Sequence, residues 1–215
     1  MSGTPRQPQT RLDRPRSRRV HEAVLDATAD LLAEGGLAAA TTDAVSARSG
    51  ASKTTLYKHW PNRLTLAVEA FAAHMTDTVA PPDTGSTEGD LRAHMRMVAE
   101  FYATAQGRIY AELLAAAVTD PVAADLLRTR FLDHRREVVL ATWRRGLDRG
   151  DVDPTLDFQA VNDVLFGPII FRLVSGHAPL SPDEADLIAD VALRGVLAGR
   201  GSRPHDRRRP TSRSD

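Results

Sequence analysis

Within the stretch from Thr41 to Trp60 the sequence starts a helix, stops it, starts another and breaks again, which leaves the backbone few arrangements. Thr41 and Thr42 can cap a short helix whose inward residues are Ala44 and Val45, and Gly50 stands where a left-handed turn wants a residue without a Cβ. Ser52 caps a second short helix, Leu56 and Trp60 share one of its faces, and Pro61-Asn62 ends the pattern. Ser46 supplies a small residue where the two helices would cross. The spacing predicts a helix-turn-helix whose second helix stands clear of the body. The exposed side of that helix shows Lys53, Thr54, Thr55, Tyr57, Lys58 and His59: cations for phosphates, and hydroxyl and aromatic groups for base edges and backbone oxygens. A helical hairpin with a plain polar face is the alternative, and it leaves Tyr57 and His59 hard to explain as core, although one of them could pack inward.

Helical spacing continues through the rest of the chain. Val20, Val24, Ala27, Leu31 and Leu32 mark a first helix that stops at Gly35-Gly36, and Leu64, Leu66, Val68 and Phe71 mark a fourth. Pro81, Pro82, Gly85 and Gly89 lie in a stretch with no periodic apolar face, which reads as a linker. Further helices are expected over 91–105, around Ile109 to Leu114, as one long rod from Asp120-Pro121 to Gly150, over 157–175 and over 182–197. No segment alternates with period two, so the fold class is all-α, with about nine helices. The expected division is a basic arm (1–15), an N-terminal three-helix helix-turn-helix domain (16–75), the linker (76–90), a C-terminal helical bundle (91–199) and a basic tail (200–215).

Composition narrows the function. Lys+Arg and Asp+Glu both total 28, and a formal charge of zero argues against a general nucleic-acid coat. The charge is uneven, however: residues 1–19 set six arginines against Asp13, and residues 200–215 set six against Asp206 and Asp215. These ends read as solvated tails, with auxiliary phosphate contact as the alternative. The absence of cysteine excludes disulfides, thiolate metal sites and cysteine nucleophiles. There is no uninterrupted apolar run of about 18 residues and no apolar signal-peptide core, so a cytoplasmic protein off the membrane is expected. The histidines show no triad pattern, and no serine lies in a nucleophile elbow. His134 and Glu137 lack a partner motif for a metal, and Gly199-Arg200-Gly201 lacks the context of a nucleotide loop. Neither an enzyme, a cofactor nor a metal is expected.

The segment Gly50-Ala51-Ser52-Lys53-Thr54-Thr55-Leu56-Tyr57-Lys58-His59-Trp60 resembles the signature Gly-Val-Ser-x-x-x-Leu-Tyr-x-His-Phe of the TetR family of transcriptional repressors. The likeness runs from the first helix through Arg63. It implies that Thr42 contacts phosphate, that Lys53, Thr54, Thr55 and Tyr57 meet bases or backbone, and that His59 and Arg63 hold phosphates; Ser52 and Lys58 complete the expected DNA-contacting set. Ala51, Trp60 and Asp43 depart from the usual pattern and bear on base preference. The resemblance also implies a C-terminal bundle for ligand binding and dimerisation. Its effector cavity would lie among the middle helices, and a homodimer through the last two helices would meet a palindromic double-stranded DNA operator.

The residues support the dimer independently. Val161, Val164, Leu165, Ile169, Ile170 and Leu173, with Leu187, Ile188, Val191, Val196 and Leu197, are more apolar surface than one small subunit easily hides, unless they complete its own core. Phe101, Trp143 and Phe166 are expected to line a pocket for a small hydrophobic or aromatic effector, although aromatics at helical spacing equally serve as core. The expected function is a ligand-responsive DNA-binding transcriptional regulator, a repressor; an activator is the nearest alternative, and a helical enzyme or interaction protein the more distant ones.

Overall fold

The computed structural model describes residues 15–75 and 81–197, and within them every regular element is helical. α1 (Pro15–Ala39) buries Val24, Ala27, Leu31 and Leu32 and changes direction at Gly35 and Gly36, where Gly36 takes φ 63°. α2 (Thr42–Ser49), α3 (Lys53–His59) and α4 (Arg63–His74) follow at once. Beyond the linker come α5 (Thr87–Tyr102), α6 (Ala105–Ala117), α7 (Pro121–Leu127), a π-helical turn (Arg128–Leu132), α8 (Asp133–Arg149), α9 (Phe158–Ser175) and α10 (Pro182–Leu197). The backbone stays right-handed helical from α7 through the π turn into α8, so these three make the single long rod expected from the sequence, and the described residues form nine rods. The π turn is marked by the N–H of Asp133 reaching back five residues to the carbonyl of Arg128.

The helix starts are fixed locally. Thr41, Ser52, Asn62, Ser86, Thr104, Asp120 and Asp157 each accept a first-turn N–H with the side chain. One start differs from expectation: Ser86 caps α5 at Thr87, inside the stretch expected to be linker, because Gly89 and Asp90 are helical despite their composition. Asp90 is fully buried and accepts from the N–H and hydroxyl of Thr84 (2.6 and 2.8 Å) and from Arg145 and Arg149 on α8 (3.2 and 3.4 Å). Burial alone would raise its carboxyl pKa, but Thr84 and the two guanidiniums outweigh burial and hold it below the usual range. Arg149 also holds Asp151, whose carboxylate accepts from Thr87, so the residues around the Gly150 stop fasten α8 to the start of α5.

One hydrophobic core runs through both halves. α1 packs on α2, α4 and α6; α4 in turn packs on α6, α7 and the π turn; α5 is covered by α8, α9 and α10. α9 is long and apolar enough to cross a membrane by length and composition, but its Asp163 pairs with Arg136 of α8 and its Arg172 with Glu184 of α10, which ties it into the bundle. The basic arm up to residue 14, residues 76–80 of the linker, the basic tail, and the side chains of Val196 and Leu197 lie outside what is described.

Candidate nucleic-acid interface and effector cavity

α2 and α3 meet at a turn that the sequence builds from small residues. Gly50 adopts φ 72°, ψ 2° and its N–H bonds to the carbonyl of Ser46. The Ser46 hydroxyl donates to the carbonyl of Ala51 (2.7 Å), so the small residue at the crossing also ties down the turn. Val45, Ala51, Leu56 and Trp60 are buried behind the pair, with Leu56 the buried side chain of α3 itself. Trp60 stacks on His21 of α1 at 4.7 Å and donates its Nε1–H to Glu69 of α4 (2.9 Å), while His21 meets the other Glu69 oxygen at 3.1 Å. The back of α3 is thus anchored to α1 and α4, and its front is free of the body.

On that front Lys53, Thr54, Tyr57 and Lys58 are exposed, with Tyr57 at 57%. Ser52 and Thr55 share a hydroxyl hydrogen bond of 2.9 Å at the start of α3. His59 is half-buried, its ring 5.9 Å from His21 and 5.6 Å from Trp60, so it is the aromatic that turns partly inward. Thr42 opens α2 and is half-exposed; Arg63 opens α4, is exposed, and reaches the carbonyl of Leu37 at 3.5 Å. Sequence reasoning missed one contact. Lys53 forms an ion pair with Asp43 of α2, and the hydrogen bond it donates to that carboxylate, together with the carboxylate's charge, raises the lysine pKa. Asp43 stood out in the sequence as an acid near this helix, but its spacing of ten residues from Lys53 did not predict the pair.

Residues 24–70 match the family model described as bacterial regulatory proteins, tetR family, and residues 81–192 match that of the tetracyclin repressor-like C-terminal domain. The chain is 34% identical over 191 residues to the uncharacterized HTH-type transcriptional regulator YdeS of Bacillus subtilis, spanning 88% of this chain and 96% of that protein. This chain belongs to the TetR family. The regulator is also 32% identical over 187 residues to the DNA-binding transcriptional repressor TetR of Mycobacteroides abscessus, covering 84% of one and 95% of the other. The solved structure of the TetR family transcription regulator SCO0332 matches it with a TM-score of 0.69 at 35% identity, over 83% of this chain and 98% of that one. Its class is a DNA-binding regulator of transcription with a helix-turn-helix domain and an all-helical remainder, not an enzyme.

A cavity of about 110 Å³ lies between α5 and α8, with Met75 after α4 among its lining residues. Met97, Val98, Phe101 and Val138 give it apolar walls; His94, His134 and Arg135 give it polar ones. Of the three aromatics expected there, Phe101 lines it. Phe166 touches the lining residue His94 edge-on at 5.4 Å, and Trp143 packs on Phe158 at 6.2 Å, outside the lining. His94, His134 and Arg135 were not foreseen as pocket residues, and only the four-residue step from Phe131 to Arg135 hinted at a shared face.

Hydrogen bonds add to the packing that joins the DNA-binding half to this bundle. Asn62, the cap of α4, donates to Asp120, the cap of α7, at 2.8 Å. Glu112 of α6 accepts the N–H of Leu37 at 2.6 Å and fills the space where a Cβ on Gly36 would stand. Phe71 of α4 packs on Phe131 of the π turn at 5.2 Å, and Met75, just after α4, lines the cavity itself.

Proposed function

We propose that this regulator is a cytoplasmic repressor that binds a palindromic operator as a two-fold dimer and releases it when a small hydrophobic or aromatic effector enters the cavity between α5 and α8. The observation that carries the reading is α3: a polar helix held outward on buried Val45, Leu56 and Trp60, with Lys53, Thr54, Tyr57 and Lys58 directed to solvent. Thr42, Ser52, Thr55, His59 and Arg63 complete the contacts to phosphate and backbone. Repression, rather than activation, follows the similarity to the Mycobacteroides abscessus repressor.

Dimerisation through α9 and α10 is supported by Val164, Phe171 and Val174 on the first and Leu187 and Val191 on the second, all at least half exposed. A two-fold arrangement buries the same patch on both subunits and places the two α3 helices in successive major grooves. An effector need only prefer the arrangement of α4 that spoils this spacing, and Met75 at the end of α4 lines the cavity. The test is a mobility shift with DNA upstream of the protein's own gene at two salt concentrations. Affinity should fall steeply with salt, because releasing phosphate-bound counterions gains less as the bulk salt concentration rises. Binding indifferent to salt, or absent at low salt, would overturn the reading.

A further inference from the structure

We propose that the cavity between α5 and α8 takes a small molecule bearing an anionic group, a carboxylate on a compact apolar or aromatic body, with Arg135 as its counter-charge and His94 as its hydrogen-bond partner. The proposal rests on the reading of this cavity as the effector site and adds the chemistry of what enters it.

The charge balance of the bundle singles out Arg135. Among the described residues Arg92, Arg136, Arg145 and Arg172 are the other arginines partly withdrawn from solvent, and each holds a carboxylate. Arginines without an ion pair, such as Arg108, Arg130 and Arg144, are exposed to water. Arg135 has neither a carboxylate nor full hydration. Its guanidinium lies over the rings of Phe131 at 4.3 Å and Phe101 at 4.7 Å, and burial lowers its pKa. Aromatic faces fix a guanidinium in place but leave its N–H fork, the part that matches a carboxylate, unsatisfied.

His94 supplies an independent sign. It is 7% exposed, lines the same cavity, and its Nδ1 has no hydrogen-bond partner. A buried polar atom left alone is costly, and a bound ligand relieves that cost. Burial and the charge of Arg135 push the imidazole pKa down to about 4, so it is neutral at physiological pH and adds no second charge. Beside His134, the lining residues Met75, Met97, Val98, Phe101 and Val138 suit a compact apolar body, and the cavity has room for a small molecule rather than a long chain.

The arrangement follows from the four-residue step that starts within the π turn. Phe131 lies within it and Arg135 follows one helical turn later on α8, so the cation is pinned against a ring that itself packs on Phe71 and Tyr110. The fork is therefore preorganised, and little side-chain freedom is lost when an anion arrives.

The experiment is calorimetric titration of the full-length protein with benzoate and salicylate, and with the neutral benzamide and salicylamide. The acids should bind at least about tenfold more tightly than their amides. Arg135→Gln should remove that preference, weakening the acids far more than the amides, and Arg135→Lys should restore part of it. Circular dichroism checks that the variants fold; if Arg135→Gln does not, the ratio of acid to amide in the unaltered protein decides alone. Equal binding of acids and amides, a folded Arg135→Gln variant that keeps the preference, or no binding of any acid at millimolar concentration overturns the anion site. Operator binding measured alongside separates this from the wider reading. Amides that bind here as tightly as the acids and release DNA refute the anion but keep the effector site, whereas an acid that binds through Arg135 and leaves operator affinity unchanged keeps the anion site and refutes the effector role.

Discussion

In the free protein the lysine at the start of the reading helix already has a partner. To contact phosphate, Lys53 must leave Asp43, and the freed carboxylate then lies close to a polyanion. Asp43→Asn keeps the size of the side chain and removes the competitor. Both groups are well exposed, Lys53 at 55% and Asp43 at 76% of the side chain, so water screens the pair and its loss has a modest effect. Operator affinity should rise about two- to fivefold. The salt dependence is the sharper reading. In the unaltered protein the counterion released by the Lys53 contact is offset by the cation that unpaired Asp43 recruits. Without Asp43 the slope of log affinity against log salt should steepen by about 0.9, the value for one more neutralised phosphate. Fluorescence anisotropy with a labelled operator at several salt concentrations measures both quantities. Lys53→Ala placed in the Asp43→Asn background should cancel the gain. If Asp43→Asn leaves affinity and slope unchanged, or if the gain survives Lys53→Ala, then Lys53 does not reach phosphate and the assigned orientation of α3 is wrong.

Other perturbations address the neighbouring claims. Tyr57→Ala should weaken operator binding about tenfold or more while leaving the melting temperature within a degree or two, since the ring is 57% exposed; a lowered melting temperature with intact binding would assign Tyr57 to packing instead. Phe171→Glu combined with Val191→Glu should turn the dimer into monomer in sedimentation and abolish operator binding with it, whereas a persistent dimer would move the seam off α9 and α10. His94 predicts an acid weakness. Its folded pKa of about 4 lies below the ordinary value near 6.5, so between these pH values the unfolded chain holds a proton that the folded one lacks. Stability should therefore fall as pH drops from about 6.5 towards 4, by roughly 3 kcal/mol over the whole span. Urea unfolding at pH 7 and pH 5 should show His94→Phe losing less stability than the unaltered protein; equal losses would contradict the buried neutral imidazole.

The helix-turn-helix was legible because every signal for it is local. Thr41 and Ser52 cap within three residues of themselves, Gly50 declares its own left-handed backbone, and the buried positions of α3 are read from a four-residue step. The bundle was legible as a set of helices but not as a site. Arg135 reads from sequence like any other arginine on a charged helix, and its lack of a carboxylate is a property of four packed elements rather than of spacing. Asp90 gave the opposite error: it lay among the Gly, Ser and Thr residues of an expected linker, yet it is fully buried because Arg145 and Arg149, more than fifty residues away, come to meet it. The expected pocket aromatics divided for the same reason. Which face of α8 looks inward depends on the phase of the long rod, which the π turn alters without leaving a composition signal, and Phe166 sits on the separate α9.

That phase change has a mechanical side. One residue added to a turn rotates everything after it by about a quarter of a revolution relative to everything before it. The single rod from α7 to α8 can therefore press its first segment on α4 and α6 while offering a different flank to α5 and α9. Excising one residue between Arg128 and Leu132 would bring the two flanks back into line. The protein would then have to choose between gripping the reading half and walling the cavity, and a regulator so altered should lose the link between its two ends before it loses its helices.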